Sequence, residues 1–186
     1  MKKLASLLLI ILLLFSFGAC TIDDDEPIHV PPSNWYNAAI CLSGYAGDQG
    51  YWDFALNEKD TSSMPVYKIE TAEELADFKT NLQSYFSFSA RRQNAASFNE
   101  VTADCSDTFF SEKALLIVYI VASSGTYRYR IPTVEVRDDG VLTVTVEQYN
   151  DEGDGNCDMS GWLAVIEVPK EKLNSVTSYN ALRTDN

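Results

Sequence analysis

The feature that most constrains the fold is an uninterrupted apolar run from Ala114 to Ala122, rich in β-branched residues. This run is too short to cross a bilayer, because a membrane-spanning helix needs about 20 residues. A strand that is apolar at every position leaves no side for water, so both of its faces must be covered. We therefore expect Ala114 to Ala122 to form the central strand of a layered domain.

Alternating apolar residues predict further strands around this one. Asp139-Gly140 is typical of a tight hairpin turn, and apolar residues alternate with threonines from Leu142 to Val146 behind it. Gly161 to Val168 has the pattern of a buried strand that ends at Pro169. Three earlier strands are predicted at Trp35–Leu42, Tyr51–Leu56 and Pro65–Ile69.

The strand before the hairpin, Thr126 to Val136, changes phase at Pro132. Tyr129 and Ile131 fall on one face of a regular strand, whereas Val134 falls on the other. Proline cannot donate a hydrogen bond to a neighbouring strand. The sequence therefore predicts a bulge or an edge position at Pro132.

One helix has a clear signal. Thr71 and Glu74 have the S/T-x-x-E spacing of a capping box, and apolar residues then recur at helical steps from Leu75 to Phe86. This pattern predicts an amphipathic helix with one side facing the core. A further helical turn is predicted at Asp107–Lys113, with its two phenylalanines in the core.

These patterns predict an α+β domain over residues 35–175, a mainly antiparallel β sheet or small sandwich with one amphipathic helix. Residues 87–106 are polar and give no clear signal. We expect residues 176–186 to be a polar tail that frays. A domain of this size buries about two thirds of its surface and needs no metal or disulfide for stability.

The N-terminus has the pattern of a targeting signal. Two lysines precede the apolar stretch Leu4 to Phe17, and Phe17-Gly18-Ala19-Cys20 follows. Small residues directly before a cysteine resemble the lipobox of bacterial lipoproteins. The resemblance implies that residues 1–19 are removed and that Cys20 carries a diacylglycerol and an acylated amine. Acidic and proline-rich residues 20–34 are then expected to be a disordered tether.

The charge balance restricts the partners. The chain has 14 Lys and Arg against 27 Asp and Glu, a net charge of -13. Removing residues 1–19 takes away two lysines and no acids, which lowers the charge to -15. Nucleic acid is not expected as a partner, because binding there depends on cationic side chains. Anionic lipid also repels such a chain, so we expect a covalent lipid anchor to hold it at the extracytoplasmic face of the membrane.

The sequence offers little for catalysis. Its single histidine, His29, lies in the predicted tether, so neither a Ser-His-Asp nor a Cys-His arrangement is expected in the domain. The same reasoning argues against a histidine zinc site, and the cysteines form no C-x-x-C pair. We expect no cofactor and no enzyme activity. Paired carboxylates of a glycosidase stay open, because the sequence does not give their separation.

An acidic segment before the last predicted strand is a weak candidate for a calcium loop. Its carboxylates are those of Asp151, Glu152, Asp154 and Asp158, and hard oxygen ligands suit calcium. An EF-hand is not expected, because its twelfth position falls on Gly161 instead of glutamate. The alternative is a solvated connection between strands. The candidate ligands of a looser loop are Asp151, Asp154 and Asp158.

Three cysteines are not explained by lipidation. Cys41, Cys105 and Cys157 allow at most one internal disulfide, and loop-closure entropy does not distinguish the pairings. Free thiols are an equal alternative. A redox role is not expected, because the acids next to Cys105 and Cys157 raise thiol pKa values.

Aromatic residues are frequent in the predicted strands and have two interpretations. They could form a platform on which sugars stack, or they could be core residues. The core interpretation is the commoner one, and Arg128 and Arg130 are interpreted as part of a solvated strand face. The aromatic residues are Trp35, Tyr36, Tyr51, Trp52, Tyr127, Tyr129 and Trp162.

The segment from Glu112 to Lys170 resembles the C-terminal domain of the protease-complex subunit PrcB. The likeness lies in the apolar strand, the Ser124-Gly125-Thr126-Tyr127 turn, the Asp-Gly hairpin and the closing Ile166 to Lys170. It implies a small antiparallel β domain that binds or stabilises another protein without catalysis. We therefore expect a non-enzymatic lipoprotein with a protein partner. The alternatives are a glycan-binding module and a carboxylate-based glycosidase.

Overall fold

The computed structural model describes residues 35–45, 64–91, 95–122, 125–150 and 160–185. The predicted strand Tyr51–Leu56 lies outside these ranges. The helices are α1 (Ala72–Leu82), α2 (Phe98–Val101) and α3 (Asp107–Glu112), with a 3-10 turn at Lys170–Leu173. The strands are β1 (Asn37–Tyr45), β2 (Val66–Ile69), β3 (Phe86–Ser87), β4 (Lys113–Ala122), β5 (Arg128–Val136), β6 (Val141–Asn150), β7 (Ser160–Pro169) and β8 (Ser178–Asp185).

The strands form two sheets. The larger has the order β2-β4-β7-β1-β3, and every neighbouring pair in it is antiparallel. The smaller has the order β5-β6-β8, with β5 antiparallel and β8 parallel to β6. The fold is thus α+β, mostly antiparallel β structure with few helices, as the sequence predicts.

Strand β4 is covered on both faces, which confirms the first prediction. Leu116 and Ile120 belong to the core cluster shared with the three-stranded sheet. Leu115 and Ile117 belong to a second cluster, which includes buried side chains of the helices. These four leucine and isoleucine side chains are fully buried because sheet lies on one side and helices lie on the other.

The predicted hairpin joins β5 and β6. Gly140 has a φ of +81°, and its N–H donates to the Arg137 carbonyl at 2.9 Å. This backbone conformation favours glycine at the turn. Between Arg130 and Thr133 the register of β5 shifts, and β5 is an edge strand. Both predictions for Pro132, a bulge and an edge position, are therefore confirmed.

Helix α1 begins as predicted but ends earlier. The Thr71 hydroxyl accepts a hydrogen bond from the Glu74 N–H at 3.0 Å, and the Glu74 carboxylate accepts one from the Glu70 N–H. The helix ends at Leu82. The prediction that it continues to Phe86 is wrong, because the chain turns after Leu82 and Phe86 belongs to β3. Phe86 is nonetheless buried in the same cluster as the helix.

Two elements differ from the sequence analysis. Helix α2 lies in the segment that has no clear pattern, and its N-cap Ser97 forms a complete capping box with Glu100. Strand β8 lies where we expect a fraying tail, and that expectation is wrong for Ser178–Asp185. Eight residues of β8 pair with β6, and Ala181 is fully buried. The tail is ordered because it completes the three-stranded sheet.

Candidate interaction surface

The three-stranded sheet has two different faces. On β6, Leu142, Val144 and Val146 are fully buried in the core between the sheets. Because side chains alternate along a strand, Thr145 and Glu147 lie on the opposite face. We call that opposite face of β5, β6 and β8 the outer face.

Strand register arranges the outer face in rows. One row contains Thr133, Thr145 and Leu182, and the Thr133 hydroxyl donates to the Thr145 hydroxyl at 2.8 Å. The next row contains Arg130, Glu147 and Thr184. A third row contains Glu135, Thr143 and Asn180.

The central charges of the outer face neutralise each other. Arg130 donates two hydrogen bonds to Glu147, from Nε at 2.9 Å and from a terminal nitrogen at 2.6 Å. Hydrogen bonding to Arg130 lowers the pKa of Glu147, and the same bond raises the pKa of Arg130. The Arg130 guanidinium also lies 5.6 Å from the centre of the Tyr149 ring. The pair therefore stays ionised and leaves this part of the face without net charge.

Two large apolar side chains of the outer face are exposed. Tyr149 is 37% exposed and Leu182 is 44% exposed. The buried residues of α1, α2 and α3 instead pack in the cluster on the far side of the five-stranded sheet. Among the described residues, no helix cluster packs on the outer face, which is exposed around Tyr149 and Leu182 and buried at Thr143.

Aromatic residues that could have formed a sugar-binding platform belong mostly to the core. Tyr36, Tyr129 and Trp162 are buried between the sheets, and Trp35 and Tyr127 are half-buried against them. The core interpretation is confirmed for these five residues. Tyr51 and Trp52 lie outside the described residues.

Arg128 is engaged by the protein itself. Its guanidinium donates to the backbone carbonyls of Gly125, Thr126 and Tyr127 at 3.0–3.1 Å and lies 5.7 Å from the Trp162 ring. The prediction of a solvated face is therefore wrong for Arg128, which holds the turn before β5.

The cysteines with described positions are free. Cys41 is fully buried and Cys105 is half-buried, and neither forms a disulfide, so the structure has no bridge between them. Burial raises the pKa of the Cys41 thiol to about 12, and burial is also the largest cause that raises the pKa of Cys105. Both thiols are therefore protonated and poor nucleophiles at neutral pH.

Several predicted site residues lie outside the described ranges. They are Cys20, Cys157 and the candidate calcium ligands Asp151, Asp154 and Asp158. Within the described ranges, no group of His, Cys, Asp or Glu side chains is arranged to hold a metal ion. The described helices also include none that could span a membrane.

Sequence reasoning missed Leu182, because it placed this residue in the fraying tail. The available signal was Tyr179 together with the apolar pair Ala181-Leu182, which is weak because two adjacent apolar residues do not show the alternation of a strand. Comparison with known proteins gives no matching family, and no similar curated protein or solved structure.

Proposed function

We propose that the protein is a non-enzymatic lipoprotein at the extracytoplasmic face of a bacterial cell membrane. Lipidated Cys20 anchors it there, and its folded domain binds or stabilises a partner protein. The observation that carries the binding function is the open outer face, with exposed Tyr149 and Leu182 beside a neutral ion pair.

This composition suits a protein partner. Exposed aromatic side chains such as Tyr149 contribute strongly to protein–protein binding, and the paired Arg130 and Glu147 do not need a partner of opposite charge. The strand pattern that resembles PrcB supports the same function. That segment, Glu112 to Lys170, spans β4 to β7 and therefore includes most of the outer face.

Site-specific photo-cross-linking in intact cells tests the binding function. A photoreactive amino acid replacing Tyr149 places the probe on the outer face, and the same amino acid replacing Asp77, exposed on α1, is the matched control. We expect a covalent adduct with another protein from position 149 and none from position 77. Absence of any adduct at 149, or equal adducts at both positions, would contradict the proposal.

The anchor is tested separately with Cys20→Ser. Without its thiol, residue 20 cannot receive the diacylglycerol, so we expect an unprocessed precursor or protein released from the membrane. Cys105→Ser is the matched control, because it removes a thiol from the folded domain instead of the lipobox. An unchanged mass and membrane fraction for Cys20→Ser would refute lipidation.

A further inference from the structure

The four strands at the ends of the two sheets differ in how they are protected from pairing with another chain. An edge strand exposes backbone N–H and C=O groups, and natural proteins limit this with short strands, proline or bulges. In the larger sheet the terminal strands β2 and β3 have only four and two residues. In the smaller sheet, β5 contains Pro132 and breaks its register.

Strand β8 is long and has neither proline nor a bulge; its charged residues are Arg183, which lies over the Tyr129 ring, and Asp185 at its end. It keeps a continuous register with β6 over eight residues, from Ser178 to Asp185, and contains no proline. At its start, the Tyr179 ring lies 6.0 Å from the Lys68 Nζ atom of β2. From Asn180 onward, β6 is the strand with which β8 pairs among the described residues.

We infer that β8 pairs antiparallel with β8 of a second copy of this chain, so that the two three-stranded sheets join. The two-fold axis lies at Leu182, which places Leu182 opposite Leu182 and Asn180 opposite Thr184. These three residues share one side of the strand by alternation. Leu182, 44% exposed in the single chain, thereby gains an apolar neighbour.

Charge favours a second copy at this edge in particular. The chain has 27 acidic against 14 basic residues, so most contacts between two copies would bring acidic residues together. The stretch Asn180 to Thr184 contains no acid. Its one charged residue, Arg183, lies over the Tyr129 ring and is hydrogen-bonded to Gln148. In the pairing centred at Leu182, Arg183 opposes Ala181, so like charges do not face each other directly.

The pairing makes a specific prediction for cysteine cross-linking of the full chain in membranes. Directly opposed residues have Cβ atoms about 4.5–5.5 Å apart. In a Cys105→Ser, Cys157→Ser background, we expect Leu182→Cys to give a covalent dimer with a short bifunctional thiol reagent. Thr184→Cys alone is the matched control, because its two copies would lie four residues apart, about 13 Å.

A second pair of variants fixes the register. When one chain carries Asn180→Cys and a co-expressed chain carries Thr184→Cys, we expect the mixed dimer to cross-link. Monomeric Leu182→Cys would overturn the proposal, and so would equal cross-linking by Thr184→Cys alone. Thermal unfolding of each variant shows that it is folded; Leu182 and Thr184 are exposed, so these changes leave the core intact.

The inference concerns the edge of the sheet and does not rest on the proposed function. Cross-linking at position 182 without an adduct at position 149 would support the dimer and contradict the partner-binding function. An adduct at position 149 with a monomeric Leu182→Cys variant would support the partner-binding function and contradict the dimer.

Discussion

Two threonines of β6 differ in how their hydroxyls are satisfied. The Thr145 hydroxyl accepts a hydrogen bond from Thr133 at 2.8 Å. The Thr143 hydroxyl is buried and has no hydrogen-bond partner among the described residues. A buried polar group without a partner lowers stability, because it loses water and gains nothing in return.

We therefore predict opposite effects for the same substitution at these two positions. Thr143→Val should raise the free energy of unfolding by about 1 kcal/mol, because it removes a buried unsatisfied hydroxyl and keeps the side-chain shape. Thr145→Val should lower it by about 0.5–1 kcal/mol, because it breaks the bond to Thr133. Urea unfolding measures both. Destabilisation by Thr143→Val would mean that its hydroxyl has a partner.

The two thiols with described positions should differ in reactivity. At pH 8, N-ethylmaleimide should label half-buried Cys105 while fully buried Cys41 stays unlabelled, since its pKa is about 12. Peptide mass spectrometry measures the two rates, and labelling in urea is the control. The pKa of Cys41 in the folded chain lies above the ordinary thiol value of 9.0, so the contribution of this buried thiol to stability is lost as pH rises from about 9 to 12. Equal labelling rates in the folded protein would contradict this burial.

At the scale of elements, capping decides whether short helices form. Helix α2 has four residues, and its first turn depends on Ser97 and Glu100. The Glu100 carboxylate accepts from the Ser97 N–H at 2.9 Å and from Arg91 Nε at 2.8 Å. The N-cap residue Ser97 is buried, whereas the ion pair between Glu100 and Arg91 is exposed.

Ser97→Ala should therefore cost about 1–2 kcal/mol of stability, as expected for loss of an N-cap hydroxyl. Glu100→Gln should cost less than about 0.5 kcal/mol, because the amide oxygen still accepts from the Ser97 N–H and only an exposed ion pair is lost. Denaturant midpoints of the two variants give the comparison. A larger loss for Glu100→Gln would show that the ion pair, not the cap, stabilises this helix.

The sequence predicts the elements that have a strong local pattern. Ala114 to Ala122, Asp139-Gly140 and the break at Pro132 each carry their own signal, and each corresponds to the observed structure. Helix α2 was missed although Ser97 and Glu100 have capping-box spacing, because no periodic apolar run follows them. The outer face depends on which strands become neighbours, and a local pattern does not contain that information.

Strand β8 also depends on a neighbour that its local sequence pattern does not reveal, and its deletion tests how much it stabilises the domain. Its partner β6 is distant in sequence, and among the described side chains of β8 Ala181 is the fully buried one, so the pattern of β8 alone indicates a tail. Deleting residues 178–186 would uncover one side of β6, including Val144 and Val146. We expect a loss of several kcal/mol, a large part of the about 5–15 kcal/mol that stabilises a domain.

Thermal unfolding and limited proteolysis measure the effect of this deletion. Deletion of Asn186 alone is the control, because it leaves Ser178–Asp185 of β8 intact. An unchanged melting temperature without residues 178–186 would show that β8 adds nothing to the core and would restore the expectation of a fraying tail.

At the scale of the whole molecule, acidic residues outnumber their possible partners. Ion pairs among the described residues engage Glu70, Glu100, Glu147 and Glu167. Even if every Lys and Arg paired with one acid, the net charge of -13 would stay uncompensated. Excess charge of one sign destabilises a compact state through self-repulsion. The same charge disfavours contacts between copies, except at stretches such as Asn180 to Thr184 of β8 that contain no acid.

Salt should therefore stabilise this protein. Raising NaCl from about 10 mM to 150 mM shortens the Debye length from about 30 Å to 8 Å, which weakens repulsion between distant acids more than attraction within close pairs. A gain of about 1 kcal/mol corresponds to a rise of roughly 2–4 °C in melting temperature for a chain of this size. Sucrose at equal osmolality is the control, because it does not screen charge. A melting temperature that falls with NaCl would show that attractive ion pairs, and not the acidic excess, dominate the electrostatics of the folded chain.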